Sequence, residues 1–102
     1  MYRIVWAFNV KPGSALAFEA AYGPEGDWAK LFRRAPGYTR TELLKDVDTV
    51  GRYLTIDYWR SREDFWKFRE AFRGEYLALD KRLAALTVLE KLIGDFETNG
   101  AA

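Results

Sequence analysis

Residues 52–61 read Arg52-Tyr53-Leu54-Thr55-Ile56-Asp57-Tyr58-Trp59-Arg60-Ser61. Successive side chains of a strand point to opposite faces, so Tyr53, Thr55, Asp57 and Trp59 share one face and Leu54, Ile56 and Tyr58 the other. Large groups stand on both sides, and neither side is suited to free solvation. A strand covered on both faces implies a second layer against each.

Working outward, Tyr38 to Lys45 is a second β-rich segment, joined to the first by Asp46-Val47-Asp48-Thr49-Val50-Gly51, whose length and composition suit a hairpin. Tyr2 to Val10 alternates as well, with Tyr2, Ile4, Trp6, Phe8 and Val10 on one side and Arg3, Val5, Ala7 and Asn9 on the other. Between these strands Lys11-Pro12-Gly13 breaks the chain, and Ser14 is placed to cap a short helix carrying Ala15, Phe18 and Tyr22. Gly23-Pro24 ends it. Asp27 is then positioned to cap a second helical piece with Trp28, Leu31 and Phe32 on one stripe, closed by Ala35-Pro36-Gly37.

Downstream, Ser61 with Asp64 makes a capping-box-like start to the longest helix. Its apolar stripe runs Phe65, Phe68, Phe72, Tyr76, Leu79, Leu83 and Leu86, through a Gly74 that predicts a bend. Thr87 and Glu90 offer another capping box for a last helical turn, and Ile93 to Thr98 reads as a fourth strand. The order β-α-β-β-α-β is that of an α+β, ferredoxin-like fold, a four-stranded antiparallel sheet with its helices on one face. One domain over residues 1–98 accounts for the chain, and residues 99–102 are expected to fray. The sheet face away from the helices holds Val5, Ala7, Leu54, Ile56 and Tyr58, too apolar to leave wet. That predicts a homodimer formed by sheet-to-sheet packing.

Composition narrows the chemistry. Of 102 residues, 49% are hydrophobic and 17% aromatic, and 16 Lys+Arg against 15 Asp+Glu leave a net charge of +1. So even a balance speaks against association with nucleic acid or a membrane surface driven by charge. There is no cysteine and no histidine, which removes disulfides, thiolate and imidazole metal sites, and Cys or Ser/His nucleophile pairs. Carboxylate, guanidinium and aromatic chemistry remain. No apolar run approaches the roughly 18–20 residues that cross a bilayer, and Met1 leads directly into a strand-like segment, so a cytoplasmic location is expected.

The Pro36-Gly37 before the second strand, the segment Tyr38 to Leu44, and the Trp59-Arg60-Ser61 that closes the third strand at the helix cap resemble the antibiotic biosynthesis monooxygenase domain of the dimeric α/β barrel superfamily. The resemblance spans about residues 2 to 98. It implies a dimer of ferredoxin-like units with a shared barrel, each subunit keeping a cleft between its sheet and helices. Members oxidise aromatic polyketides there without metal or flavin, the substrate itself reducing oxygen. Trp59 matches the strand tryptophan of those members, whereas the positions of their accompanying Asn and Tyr are held by Thr55 and Phe65. Haem-degrading relatives use a histidine near the end of the long helix, and this chain has none.

On that placement Asp57 and Trp59 are the candidate catalytic residues, and Trp6, Tyr22, Trp28, Tyr53, Thr55, Phe65, Phe68 and Phe72 the candidate substrate-binding residues, with no metal and no cofactor. Asp57 on the cleft face reads in two ways. It is a general base for a phenolic or enolic proton, or a structural acceptor of hydrogen bonds from Tyr53, Tyr22 or Arg40. Two functions follow: a cofactor-independent monooxygenase acting on a small aromatic or quinone-like molecule, or a non-catalytic dimeric binding or structural module of the same fold. RNA-recognition domains share the strand order, but their third-strand signature needs a basic residue, then Gly, then exposed aromatics. Arg52 to Tyr58 lacks the glycine and carries an acid.

Overall fold

The computed structural model describes residues 1–100. Its elements in chain order are β1 (Tyr2–Val10), α1 (Ala15–Tyr22), α2 (Asp27–Phe32), β2 (Tyr38–Lys45), β3 (Arg52–Trp59), α3 (Arg62–Ala71), α4 (Arg73–Leu83) and β4 (Thr87–Glu97), with a 3₁₀ turn at Ala84–Leu86. The four strands form one antiparallel sheet in the order β2-β3-β1-β4. This is the ferredoxin-like arrangement, and the first three strands keep the boundaries the sequence predicts.

Register sets the rows that matter. Asp57 of β3 stands opposite Ile4 of β1 and Thr41 of β2, and Thr55 opposite Trp6 and Leu43. The row through Trp59 holds Tyr2 and Tyr38. Helices cover this face and bury it in a continuous core of rings. Phe18 and Trp59 are fully buried, and Trp59 meets Phe32, Phe65 and Phe68 at centroid distances of 5.6, 5.5 and 5.3 Å. The other face carries Val5, Ala7, Leu54 and Ile56, all only half-buried, with Leu44, Leu89 and Phe96 exposed around them.

The Pro-Gly and Trp-x-Ser signatures turn out to be two sides of one junction. Gly37 has φ 92°, and its carbonyl accepts the Arg60 N–H at 2.7 Å, tying the start of β2 to the end of β3. A Cβ at Gly37 would come within 2.5 Å of Asp64 Oδ2, so a glycine is required both for its conformation and for its size. Ser61 Oγ accepts the Asp64 N–H at 3.1 Å, and Arg60 Nε donates to Asp64 Oδ2 at 2.7 Å. The predicted cap of α3 therefore forms as a network that also holds the strand ends.

Several expectations are corrected. The long helix is interrupted at Phe72, not bent at Gly74: Phe72 leaves helical geometry at φ −113° and ψ 26°, and Gly74 lies inside α4. Gly26 occupies the N-cap of α2, which places Asp27 in the first turn, where its carboxylate meets Arg82 at 2.8 Å. Ser14 does hold the N-cap position of α1, but its side chain makes no capping bond.

The largest correction is at the C-terminus. Thr87 opens β4 instead of capping a helical turn, and the strand is 11 residues long. Two register shifts against β1, between Val5 and Trp6 and between Asn9 and Val10, insert an extra residue each and break the alternation. Thr98 lies past the strand, its N–H donating to the Met1 carbonyl at 3.2 Å. Asn99 and Gly100 form a turn, and the rest of the tail expected to fray, Ala101 and Ala102, lies outside the described residues. Among the described residues no helix is long and apolar enough to cross a membrane.

Candidate functional site

A cavity of about 110 Å³ opens between the sheet and the helices. Its floor is polar: Thr41, Thr55 and Asp57, each buried, project from neighbouring positions of β2 and β3. Ile4, Trp6 and Phe8 of β1 form one wall, Tyr22 of α1 with Trp28 and Phe32 of α2 another, and Phe65 of α3 closes the far side. Tyr76 and Asp80 of α4 and Glu90 of β4 complete the lining, the two acids exposed and so marking the solvent end.

Strand alternation puts Asp57 at the floor. Its Oδ1 accepts the Thr41 hydroxyl at 2.7 Å, and Thr41 in turn is bonded to the Tyr38 hydroxyl at 2.8 Å. With the single Thr41 proton given to the carboxylate, Tyr38 donates to Thr41, and the three groups form a chain from the edge of the core to the cavity floor. Among the described residues no lysine or arginine lines the cavity. Burial therefore dominates, and it pushes Asp57 up from 3.8 to about 6, against the opposing pull of the Thr41 hydrogen bond. A carboxyl near 6 exchanges its proton close to neutrality, which is where a general base works best. Burial also pushes the Tyr22 phenol up to about 12, so at the wall it stays a neutral hydrogen-bonding group.

The predicted site residues divide. Trp6, Tyr22, Trp28, Thr55, Asp57 and Phe65 come together around the cavity. Trp59 shares their sheet face but lies behind the wall, fully buried among Phe32, Tyr38, Phe65 and Phe68, with no partner for its indole N–H among the described residues. Tyr53 lies at the other end, its ring 4.9 Å from Phe18 and its hydroxyl donating to Glu19 at 2.5 Å. Phe68 is core, and Phe72 is half-buried with the Arg34 guanidinium 4.9 Å from its ring. Nor is Asp57 held by Tyr53, Tyr22 or Arg40: its partner is Thr41, and Arg40 lies on the other sheet face, 3.9 Å from the Tyr58 ring. Thr41, Ile4, Asp80 and Glu90 were not among the expected site residues. For Thr41 the signal was present, since the hairpin register sets it beside Asp57.

A ferredoxin-like sheet with an aromatic-walled cavity over a buried carboxylate is the frame of a small-molecule site. The chain belongs to the antibiotic biosynthesis monooxygenase family, whose model matches residues 1–74. Among solved structures it is similar to a variant of SnoaB, a cofactor-independent oxygenase from Streptomyces nogalater, with 26% identity and a TM-score of 0.79 over 96% of this chain and 92% of that one. A protein from Methanosarcina mazei matches at 10% identity and a TM-score of 0.71, covering 96% of this chain and 92% of that one. A variant of MhuD, solved with two manganese protoporphyrin IX molecules per active site, matches at 21% identity and a TM-score of 0.68, covering 97% and 95%. The last two likenesses bear on the fold alone. Among curated protein sequences none matches the chain.

Proposed function

We propose that this protein is a cofactor-independent monooxygenase that oxidises a small electron-rich aromatic in the cavity over Asp57. The observation that carries the reading is Asp57 itself, nine-tenths buried, facing the cavity, and held near 6 with one neutral hydrogen-bond donor. Asp57 takes an acidic proton from the substrate, and the resulting electron-rich anion reduces dioxygen directly. For an anthrone the balance is one dioxygen consumed, one oxygen atom retained in the quinone and the other released as water. At about 110 Å³ the cavity is smaller than the about 150 Å³ of apolar space that holds benzene, so it takes at most one ring. The reacting ring enters it and any further rings extend toward the mouth. Trp59 supports the wall from behind and does not touch the substrate.

The reading extends to assembly. Residues 1–98 act as one domain, and two copies pair through the open sheet face, where Leu54, Ile56 and Val5 are half-covered and Leu89 and Phe96 are exposed. The protein works in the cytoplasm, where dioxygen and small phenols are both available. A second reading, a binding module without turnover, is favoured by Thr55 and Phe65 standing where active relatives carry Asn and Tyr. Oxygen uptake decides between them: with dithranol in chelator-treated buffer, the wild type consumes oxygen and Asp57→Asn does not. Tight ligand binding without uptake by the wild type would establish the binding module instead.

A further inference from the structure

The charge around the cavity is one-sided. Asp57 lies at the floor and Asp80 and Glu90 at the mouth, and among the lining residues there is no lysine or arginine to balance them. The chain as a whole carries +1, so this is a local arrangement and not bulk acidity. Two cations of the surrounding helices have partners of their own: Arg82 binds Asp27 at 2.8 Å, and Arg69 stands over the Tyr76 ring at 4.1 Å, in a groove it shares with Trp66. Neither Asp80 nor Glu90 takes part in a salt bridge among the described residues. Partial burial lifts Glu90 above its ordinary range, with the Asp80 charge adding to it, as expected of two acids facing one space. Both lie beyond residues 1–74, so the family match does not account for them.

Ring faces point the same way. The Tyr76 ring, four residues before Asp80 on α4, already carries the Arg69 guanidinium, but Trp6, Tyr22 and Trp28 present further rings to the same space as the mouth acids. Aromatic faces and carboxylates together favour an organic cation. A metal ion is not what this arrangement fits: among the described residues no three acids gather closely enough to hold one.

We propose that the cavity selects aromatic compounds bearing a protonated amine on a short arm, the ring lodged among Trp6, Tyr22 and Trp28 and the ammonium held at the mouth by Asp80 and Glu90. This rests on the reading of the cavity as a small-aromatic site and names the class of molecule it prefers. Anionic aromatics of the same shape are disfavoured by the same three carboxyls.

Three probes of one shape test it: tyramine, para-ethylphenol and para-hydroxyphenylpropanoate, titrated at low salt by calorimetry against the full chain. The expected order is tyramine tightest, by about tenfold over para-ethylphenol, and the propanoate weakest. In the Asp80→Asn/Glu90→Gln double variant, the roughly tenfold preference for tyramine over para-ethylphenol is lost. High salt compresses the differences in the wild type. If para-ethylphenol binds and tyramine binds no better, selection for an amine is overturned and the aromatic site stands. If none of the three binds, the aromatic site fails and selection for an amine fails with it.

Discussion

The Thr41 hydroxyl donates to Asp57 Oδ1 at 2.7 Å across the β2–β3 pair, and it is the polar contact that moderates a carboxylate otherwise governed by burial. Replacing Thr41 by Val keeps the shape and removes the donor. Asp57 then moves further above 6, because the interaction removed is the one that lowers it. The acid limb of any Asp57-dependent rate shifts to higher pH in Thr41→Val. Stability at about pH 8 falls by about 1–3 kcal/mol, the cost of an unmatched buried acceptor, and by less at about pH 5, where Asp57 is protonated.

Asp57 also makes a prediction about stability alone. Its folded value of about 6 lies above the ordinary 3.8, so the folded state binds the proton more tightly than the unfolded one. Below 3.8 the group costs nothing; as pH rises from there to about 6 stability is lost, and the full penalty of about 3 kcal/mol is reached above it. Asp57→Asn removes that dependence. Urea unfolding at about pH 4.5 and pH 8 should show the variant gaining on the wild type by about 2 kcal/mol from the lower pH to the higher, since about 1 kcal/mol of the penalty is already present at the lower. Glu42, Asp46 and Asp64, each held below its ordinary range, titrate alike in both proteins and cancel in the difference.

Trp59 is placed as a scaffold. Its ring is fully buried edge-on to Phe32 and Phe65, and its N–H finds no partner among the described residues. Trp59→Phe leaves some empty volume but removes the orphaned donor, so it should cost about 1–2 kcal/mol against about 3–5 for Trp59→Ala. Ligand affinity in the folded Phe variant should match the wild type within about twofold. A loss of tenfold or more, measured by calorimetry, would put Trp59 in contact with the ligand.

The open sheet face predicts assembly. Ile56 and Val5 are direct cross-strand partners on that face, with Leu54 two residues along β3. Ile56→Glu places a charge in the middle of it. Sedimentation should give a dimer for the wild type at micromolar concentration and a folded monomer for the variant.

How far the sequence discloses all this depends on where each residue's constraint lies. β1 and β3 were legible because Tyr2, Ile4 and Phe8, or Tyr53, Thr55 and Asp57, are buried with period two, and β2, of which only Thr41 is buried, from its β-rich composition and the hairpin that joins it to β3. The start of α3 was legible because Ser61 and Asp64 carry their own capping geometry. Of β4 only the second half was legible, as Ile93 to Thr98: its positions opposite Ile4, Phe8 and Tyr2 are Asp95, Glu90 and Glu97, all polar, while Leu89 and Phe96 lie on the open face. Two bulges then shift its phase. The site followed the same division. Its floor, on β3, could be read from alternation, whereas Asp80 of α4 and Glu90 of β4 come to one cavity only through the tertiary fold, Glu90 from a strand whose pattern is disguised. Trp59 was placed on the correct face, but one row along the sheet separates the cavity floor from solid core.

The central claim is that Asp57 acts as the base in this cavity, and the pH dependence of kcat/KM for oxygen uptake with dithranol tests it most directly. The rate should rise with pH through a single ionisation near 6 and level off above it, with Asp57→Asn reduced by at least about a hundredfold across the range. An Asp57→Asn variant that keeps the wild-type rate and the same rising limb would contradict the account.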